Sequence, residues 1–417
     1  MKRVARVSLF ALGLVFSVTS VAAQNGPDTI ELQARTNIVD GYNVPPNSSY
    51  NSKTPSLSET GQVAVSLSVV GGDINTVGLW LGAAGAGSPV WTYTNGSGPV
   101  ISDCSLNRLG LVVFQLTFAS PDGLYFYDDS DGSSGLLTTR PIGADAWTGA
   151  EVNTAGQVGF RARFSGGHAW VSFDGEINPP FHAVEVSLEP TSPYWFLYTP
   201  SFNDQRVIAG KVSLAANHSA DQIVVCLETG DCTVVVEDRD ANASSQFLSF
   251  GNSVSLTDTG WVAFTAGLDG GHDGVFLTDG ATTIPIATTA HPEISGIDFF
   301  APAANESGQV VFRAFDEAGL RAIFVGDGTD LVRIVTEHDL VPTDLGQGRI
   351  DQNDGSPVFG GSPAINSAGD VAFIATLTPP DNNQIEWGSG LFIAYGSLIF
   401  SDGFESGDTA SWTTTVP

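Results

Sequence analysis

The sequence predicts an all-β chain, a β-propeller of seven blades with four antiparallel strands each, closed by pairing of its N- and C-terminal strands. Three observations predict it. A turn motif recurs seven times at near-constant spacing, the composition disfavours helices, and the two ends of the chain complement one another. Glycine numbers 48 against one methionine, and apolar residues make up 42% of the 417. That is ample for a packed core and unlike a disordered chain.

The motif is clearest at Asn153-Thr154-Ala155-Gly156-Gln157-Val158-Gly159-Phe160. It returns at Asn305-Glu306-Ser307-Gly308-Gln309-Val310-Val311-Phe312 and at Asn366-Ser367-Ala368-Gly369-Asp370-Val371-Ala372-Phe373. Weaker copies begin at Ser58, Asn107, Asn203 and Thr257. The glycine position reads Gly61, Gly110, Gly156, Arg206, Gly260, Gly308 and Gly369, spaced 49, 46, 50, 54, 48 and 61 residues apart. Asn, Ser or Thr hydrogen-bonds its own backbone, and the glycine three places on accepts a positive φ. Val or Ile follows two residues after the glycine in every copy, and Phe four after it in five copies. A strand apolar at successive positions is expected to be buried on both faces. Arg206 replaces the glycine and Gly210 the phenylalanine in the fourth copy, which is therefore expected to be the least regular unit.

A second strand follows each copy, as in Gly123-Leu124-Tyr125-Phe126 and Gly274-Val275-Phe276-Leu277, commonly ending in a turn such as Asp279-Gly280 or Asp327-Gly328. Such dipeptides between apolar runs signal hairpins. Third strands start beyond them, at Thr233–Val236, Thr283–Ile286 and Leu331–Ile334, and a looser fourth strand precedes the next Asn, as at Asp298–Ala301. Glu31 to Ala34 reads as an outer strand of a blade whose inner strands come from 371–376 and 390–395. Closing the ring by pairing the two ends removes exposed sheet edges.

The first residues predict export. Lys2, Arg3 and Arg6 precede an uncharged apolar run from Val7 to Val21, and Val21-Ala22-Ala23 suits cleavage before Gln24. The run is short for a membrane span, which needs about 20 residues. The domain reading is a signal peptide over 1–23, a single propeller over 24–399 and a tail over 400–417. The formal net charge of −29 repels nucleic acid and anionic lipid, so neither is an expected partner, and no membrane insertion is expected after cleavage.

The phrase Asn-x-x-Gly-x-Val-Ala-Phe-x-Ala, followed by Gly-Val/Ile/Leu-Phe-Leu/Val and an Asp-Gly turn, resembles a family of bacterial secreted tandem-repeat proteins named for this repeat and for their varied C-terminal sorting signals. The match runs from about Ser58 to Gly396. The resemblance implies export and a propeller-like build, and no activity. Phe400-Ser401-Asp402-Gly403-Phe404-Glu405-Ser406-Gly407, with Trp412 after it, resembles a terminal motif on secreted proteins of Gram-negative bacteria. The tail reads either as a sorting signal or as a last strand with a polar end.

Chemistry is sparser. The chain has no Gly-x-Ser-x-Gly elbow, Ser-x-x-Lys, His-Glu-x-x-His or phosphate loop, and its six histidines fall at unrelated points of the repeat. The strand after the turn glycine is expected to line the axis, and Asp370 is the one acid at the start of such a strand. Asp128, Asp129 and Asp131 put several oxygens in one loop, which suits calcium as well as a solvated hairpin tip. Trp147, Trp195 and Trp387 are expected in connecting segments rather than in the two conserved strands; they read as ligand-stacking residues or as plugs between blades. Cys226 and Cys232 flank a hairpin tip and are expected to form a disulfide in an oxidising compartment, leaving Cys104 as a buried apolar residue. The insertions at 338–356 and 378–389 lengthen loops that could form a binding face.

The function reading is an exported, non-catalytic binding or structural protein, secreted or at the surface of a Gram-negative bacterium, with a polysaccharide or surface protein as partner. The alternative is an extracellular enzyme acting on polysaccharide, a hydrolase or lyase, through acids facing the central channel.

Overall fold

A computed structural model describes residues 29–175, 180–187, 191–353 and 355–396. The leader at 1–23 and the tail at 400–417 lie outside the described residues. Seven antiparallel sheets stand around one axis, and the chain adds them in order. Blade 2 shows the plan, with strands Val100–Leu106, Leu111–Thr117, Gly123–Asp128 and Ser133–Thr139 paired in sequence. Blade 3 repeats it with Ala144–Val152, Val158–Phe164, Gly167–Phe173 and Phe181–Val186. In blades 4, 5 and 6 the first strand is broken in two, as at Phe196–Leu197 and Ser201–Phe202.

The axial position corrects one expectation. The strand that lines the axis is the loose one before the Asn turn, and the strand after the turn glycine stands second from the axis. Being second, that strand has a neighbouring blade on each face. Val112 packs into the seam with blade 1 and Val113 into the seam with blade 3; Val310 and Val311 divide likewise between blades 5 and 7. Among the described residues seven apolar clusters form, one per seam. Successive apolar residues are therefore needed here, where a one-sided sheet would alternate.

The seven turns are built alike. In each, the Asn, Ser or Thr amide donates to the carbonyl four residues on, and the amide three residues on donates back, as in Asn153 N to Gln157 O at 2.9 Å and Gly156 N to Asn153 O at 3.0 Å. Arg206 takes the same left-handed conformation as the glycines, with φ 60. Its side chain offsets that strain with bonds to Gln157 Oε1 at 2.9 Å, Asp174 Oδ2 at 3.1 Å and Glu228 Oε2 at 3.3 Å. Gly210 is explained by Trp170 of blade 3, whose ring fills the space: a Cβ on Gly210 would sit 2.5 Å from Trp170 Cζ2. The fourth unit is thus as regular as the fifth and sixth, contrary to expectation.

Closure follows the expected scheme. Thr29–Thr36 pairs with Gly388–Tyr395 as the outermost strand of blade 7, whose inner strands are Phe359–Ile365 and Val371–Thr378. The buried Tyr50 hydroxyl bonds to Ala34 O at 2.9 Å and to Ser389 O at 2.8 Å, tying blade 1 to both strands of the closure. Residues 340–350 form a hairpin that extends blade 7. Its tip supplies Asp344, which takes two 2.8 Å hydrogen bonds from the buried Arg35 guanidinium. The same guanidinium donates to Trp387 O at 2.8 Å.

Restoring the repeat at position 210 should therefore harm the fold. Gly210→Phe should destabilise by about 1–3 kcal/mol and Trp170→Ala by about 3–5 kcal/mol. The double variant should be more stable than the sum of the two predicts, by denaturant unfolding. Strict additivity would mean the two side chains do not share one space.

Candidate functional site

The inner strands of all seven blades wall an axial cavity of about 850 Å³. It occupies the end of the axis away from the Asn turns, which are not among its lining residues. Two rings of hydrogen bonds hold the inner strands together. In the first, the Asn carboxamide donates to the backbone of the following blade: Asn107 Nδ2 to Asn153 O at 2.9 Å, Asn203 to Thr257 O at 2.9 Å, Asn305 to Asn366 O at 2.9 Å and Asn366 to Ser58 O at 3.3 Å. The last of these crosses the closure.

The second ring involves the residue two before the Asn. Ser56, Ser105, Ser201 and Ser255 each accept, through Oγ, a backbone amide of the next blade at 2.9–3.2 Å. Blade 3 has Glu151 at this position. It accepts the Phe202 amide at 2.7 Å, as a serine would, and the Ser201 hydroxyl at 2.9 Å as well. Burial pushes its carboxyl up to about 7, against the pull of those two donors. Asp103 lines the same cavity on the inner strand of blade 2. Desolvation raises its pKa too, with the Lys53 ammonium at 3.9 Å opposing. Phe299 and Phe300 lie on the cavity wall at blade 6 and remain 48% and 40% exposed.

Glu151 and Asp103 escaped the sequence reading because the wrong strand had been placed at the axis. The signal was present: the position two before the Asn is Ser in four units and Glu in one. Asp370, expected at the axis, instead bonds the Asn366 carboxamide and the Gly396 amide within its own blade, at 3.1 Å each.

The three tryptophans are not brought together. Trp147 lies on the innermost strand of blade 3, not in a connector, and is 2% exposed, edge-on to Phe160 at 5.4 Å. Trp195 is 61% exposed beside blade 4. Trp387 packs partly buried against the core of blade 7. Asp128, Asp129 and Asp131 sit at the outer hairpin tip of blade 2. Asp128 accepts the Ser130 amide at 2.9 Å and its hydroxyl at 2.6 Å, Asp131 the Ser133 amide at 2.8 Å, and Asp129 the Gln62 side chain at 2.8 Å. Cys226 and Cys232 are directly opposed across strands and form a disulfide; Cys104 is free and buried, its thiol pushed up to about 12 by that burial.

Among the described residues one group of three metal-type ligands converges, Glu337, His338 and Asp351, with ligand atoms within 4.8 Å of one another. It lies at the root of the 340–350 hairpin. Arg321 stands 3.6 Å from Glu337 and Arg349 3.4 Å from Asp351, so the carboxylates already face cations. No helix among the described residues is long and apolar enough to cross a membrane.

A family match covers residues 152–403, from the end of the inner strand of blade 3 through blade 7. The chain belongs to a family of unknown function, DUF7453. No curated protein matches it. Solved structures share the fold of this DUF7453 member at low identity. An oligogalacturonate lyase in complex with manganese gives TM-score 0.53 at 10% identity, over 89% of this chain and 98% of that one. An oligogalacturonate lyase from Vibrio parahaemolyticus gives 0.54 at 9%, over the same shares. TolB from Acinetobacter baumannii gives 0.42 at 12%, over 65% of this chain and 62% of that one. The two lyase likenesses show the propeller fold and nothing further.

Glu151 makes stability pH-dependent with a definite sign. The folded form holds the proton up to about pH 7, whereas the unfolded form loses it near the ordinary value of 4.5. Native stability should therefore fall as pH rises through that window. Glu151→Ser, which restores the hydroxyl ring, should flatten the melting temperature between those limits; an unchanged slope would clear Glu151 of the effect.

Proposed function

We propose that this protein is an exported, non-catalytic binding propeller that receives a hydroxyl-rich ligand, such as the end of a glycan chain, in the axial cavity. The observation that carries the reading is the wall of that cavity. Serine hydroxyls at four blades are joined at blade 3 by a carboxyl that is partly protonated near neutrality, with a second carboxyl on the adjacent blade. Serine hydroxyls, backbone edges and carboxyls can both donate to and accept from sugar hydroxyls, and Phe299 offers an exposed aromatic face nearby. A volume of about 850 Å³ falls within the range typical of small-ligand sites. Residues 1–23 supply the export, and a bacterial surface or the medium is the place where such a ligand is met.

A second reading makes the same cavity an active site. Its specific support is Glu151 itself, since a carboxyl held near pH 7 is matched to proton transfer at neutrality. Oligogalacturonate, named for two proteins of like fold, enters as one probe among several.

The purified chain from residue 24 should melt at a higher temperature in the presence of one or more of a panel of neutral and acidic polysaccharides. Phe299→Ala should weaken that binding on the order of tenfold, an aromatic contact being worth about 1 kcal/mol or more. No shift with any polysaccharide, or an equal shift in the variant, would sink the glycan reading. New reducing ends or unsaturated products, formed by the wild type and not by Glu151→Gln, would establish the second.

A further inference from the structure

The residue five after the turn glycine points from the second strand of each blade into the next seam. In blade 4 it is Lys211, buried, with Nζ 2.7 Å from Asp221; in blade 6 it is Arg313, buried, with Nη2 2.7 Å from Asp298. Blade 3 has Arg161 at this position, and Arg163 two residues on along the same face of the strand. Among the described residues neither makes an ion pair. The reason is visible in the register: Asp298 stands opposite Arg313 in its sheet, whereas Thr148 stands opposite Arg161.

Further basic groups collect around Arg161. The Arg161 guanidinium lies 5.1 Å from the centre of the Phe196 ring, which His168 approaches to 4.2 Å, His218 to 4.6 Å and Tyr198 to 4.7 Å. His168 is nine-tenths buried and its Nδ1 has no hydrogen-bond partner. Burial, then the neighbouring Arg161, Arg163 and His218, push it down to about 4. Burial and Arg163 lower Arg161 as well. Positive charge without an ion pair at a partly desolvated seam is costly, and among the described residues no acid pairs with either arginine in a chain with a formal charge of −29.

We propose that the seam between blades 3 and 4, at the rim of the axial cavity, is an oxyanion site. Arg161 and Arg163, with His218 and the hydroxyls of Thr148 and Tyr198, hold a carboxylate, sulfate or phosphate group. Thr148 also lines the axial cavity, so an acidic substituent held here belongs to a ligand that extends toward the axis. Arginine suits the role because its planar fork grips an oxyanion through two parallel hydrogen bonds. The surrounding acidic surface repels anions at long range, so binding is local and sensitive to salt.

The test is a titration of the purified chain with sodium sulfate, sodium phosphate and a uronate oligosaccharide, at ionic strength held constant with sodium chloride. Melting temperature is the readout. A saturable rise is expected with at least one of the three. Response to the inorganic ions shows that the charged group suffices; response to the uronate alone shows that the sugar body is also needed. Arg163→Gln, at an exposed residue, should weaken binding at least tenfold. Arg239→Gln, at a partly exposed arginine paired with Asp269, should leave it unchanged. Thr148→Asp supplies the carboxylate that blade 6 has, and should raise the melting temperature without ligand while abolishing the anion response. An anion effect equal to that of chloride, or one that survives both Arg163→Gln and Thr148→Asp, would overturn the site whatever the fate of the cavity reading.

Discussion

Every other feature of this ring depends on the pairing of Thr29–Thr36 with Gly388–Tyr395. A sheet of three strands at the seam between blades 6 and 1 would leave an open edge and two half-covered apolar faces. The N-terminal strand covers both, and Tyr50 and Arg35 fix it from either side. Gly388 allows the approach, since any side chain there would strike the Thr36 carbonyl. With the circle complete, each seam has the same geometry. The Asn carboxamides and serine hydroxyls can then repeat their inter-blade bonds around the axis.

The architecture was legible because the second strand of each blade is buried on both faces and announces itself as an unbroken apolar run after a fixed turn. The innermost strand was illegible for the opposite reason. It is broken in three of the blades and half polar, because one side faces the axial cavity. That misplacement hid Glu151 and Asp103 and put Asp370 at the axis. The fourth unit misled in another way. Arg206 and Gly210 look like damage to the motif, yet each is balanced by a partner distant in sequence, Asp174 and Glu228 for the one and Trp170 for the other. No local pattern can show such compensation.

Basic residues are few, and most have a definite structural task. Arg35, Lys211 and Arg313 each join two blades, or a blade and an insertion, through an acid and at least one backbone carbonyl. Arg206 props a strained turn. Against that background Arg161 and Arg163 stand apart, because among the described residues neither makes an ion pair. The third unit is irregular twice on its inner strand, at Glu151, where four units have Ser, and at Thr148, where blade 6 has Asp298. A unit that departs twice from its repeat at the same end of the axis is where specialisation of a symmetric scaffold would be found.

The closing strand also sets the order of events during synthesis. Thr29 and Tyr395 are neighbours in the ring, yet they leave the ribosome at opposite ends of translation. Until the last strands emerge, the early ones form at best an open arc with an unpaired edge. Contacts of that sequence separation are slow to form and leave intermediates prone to association.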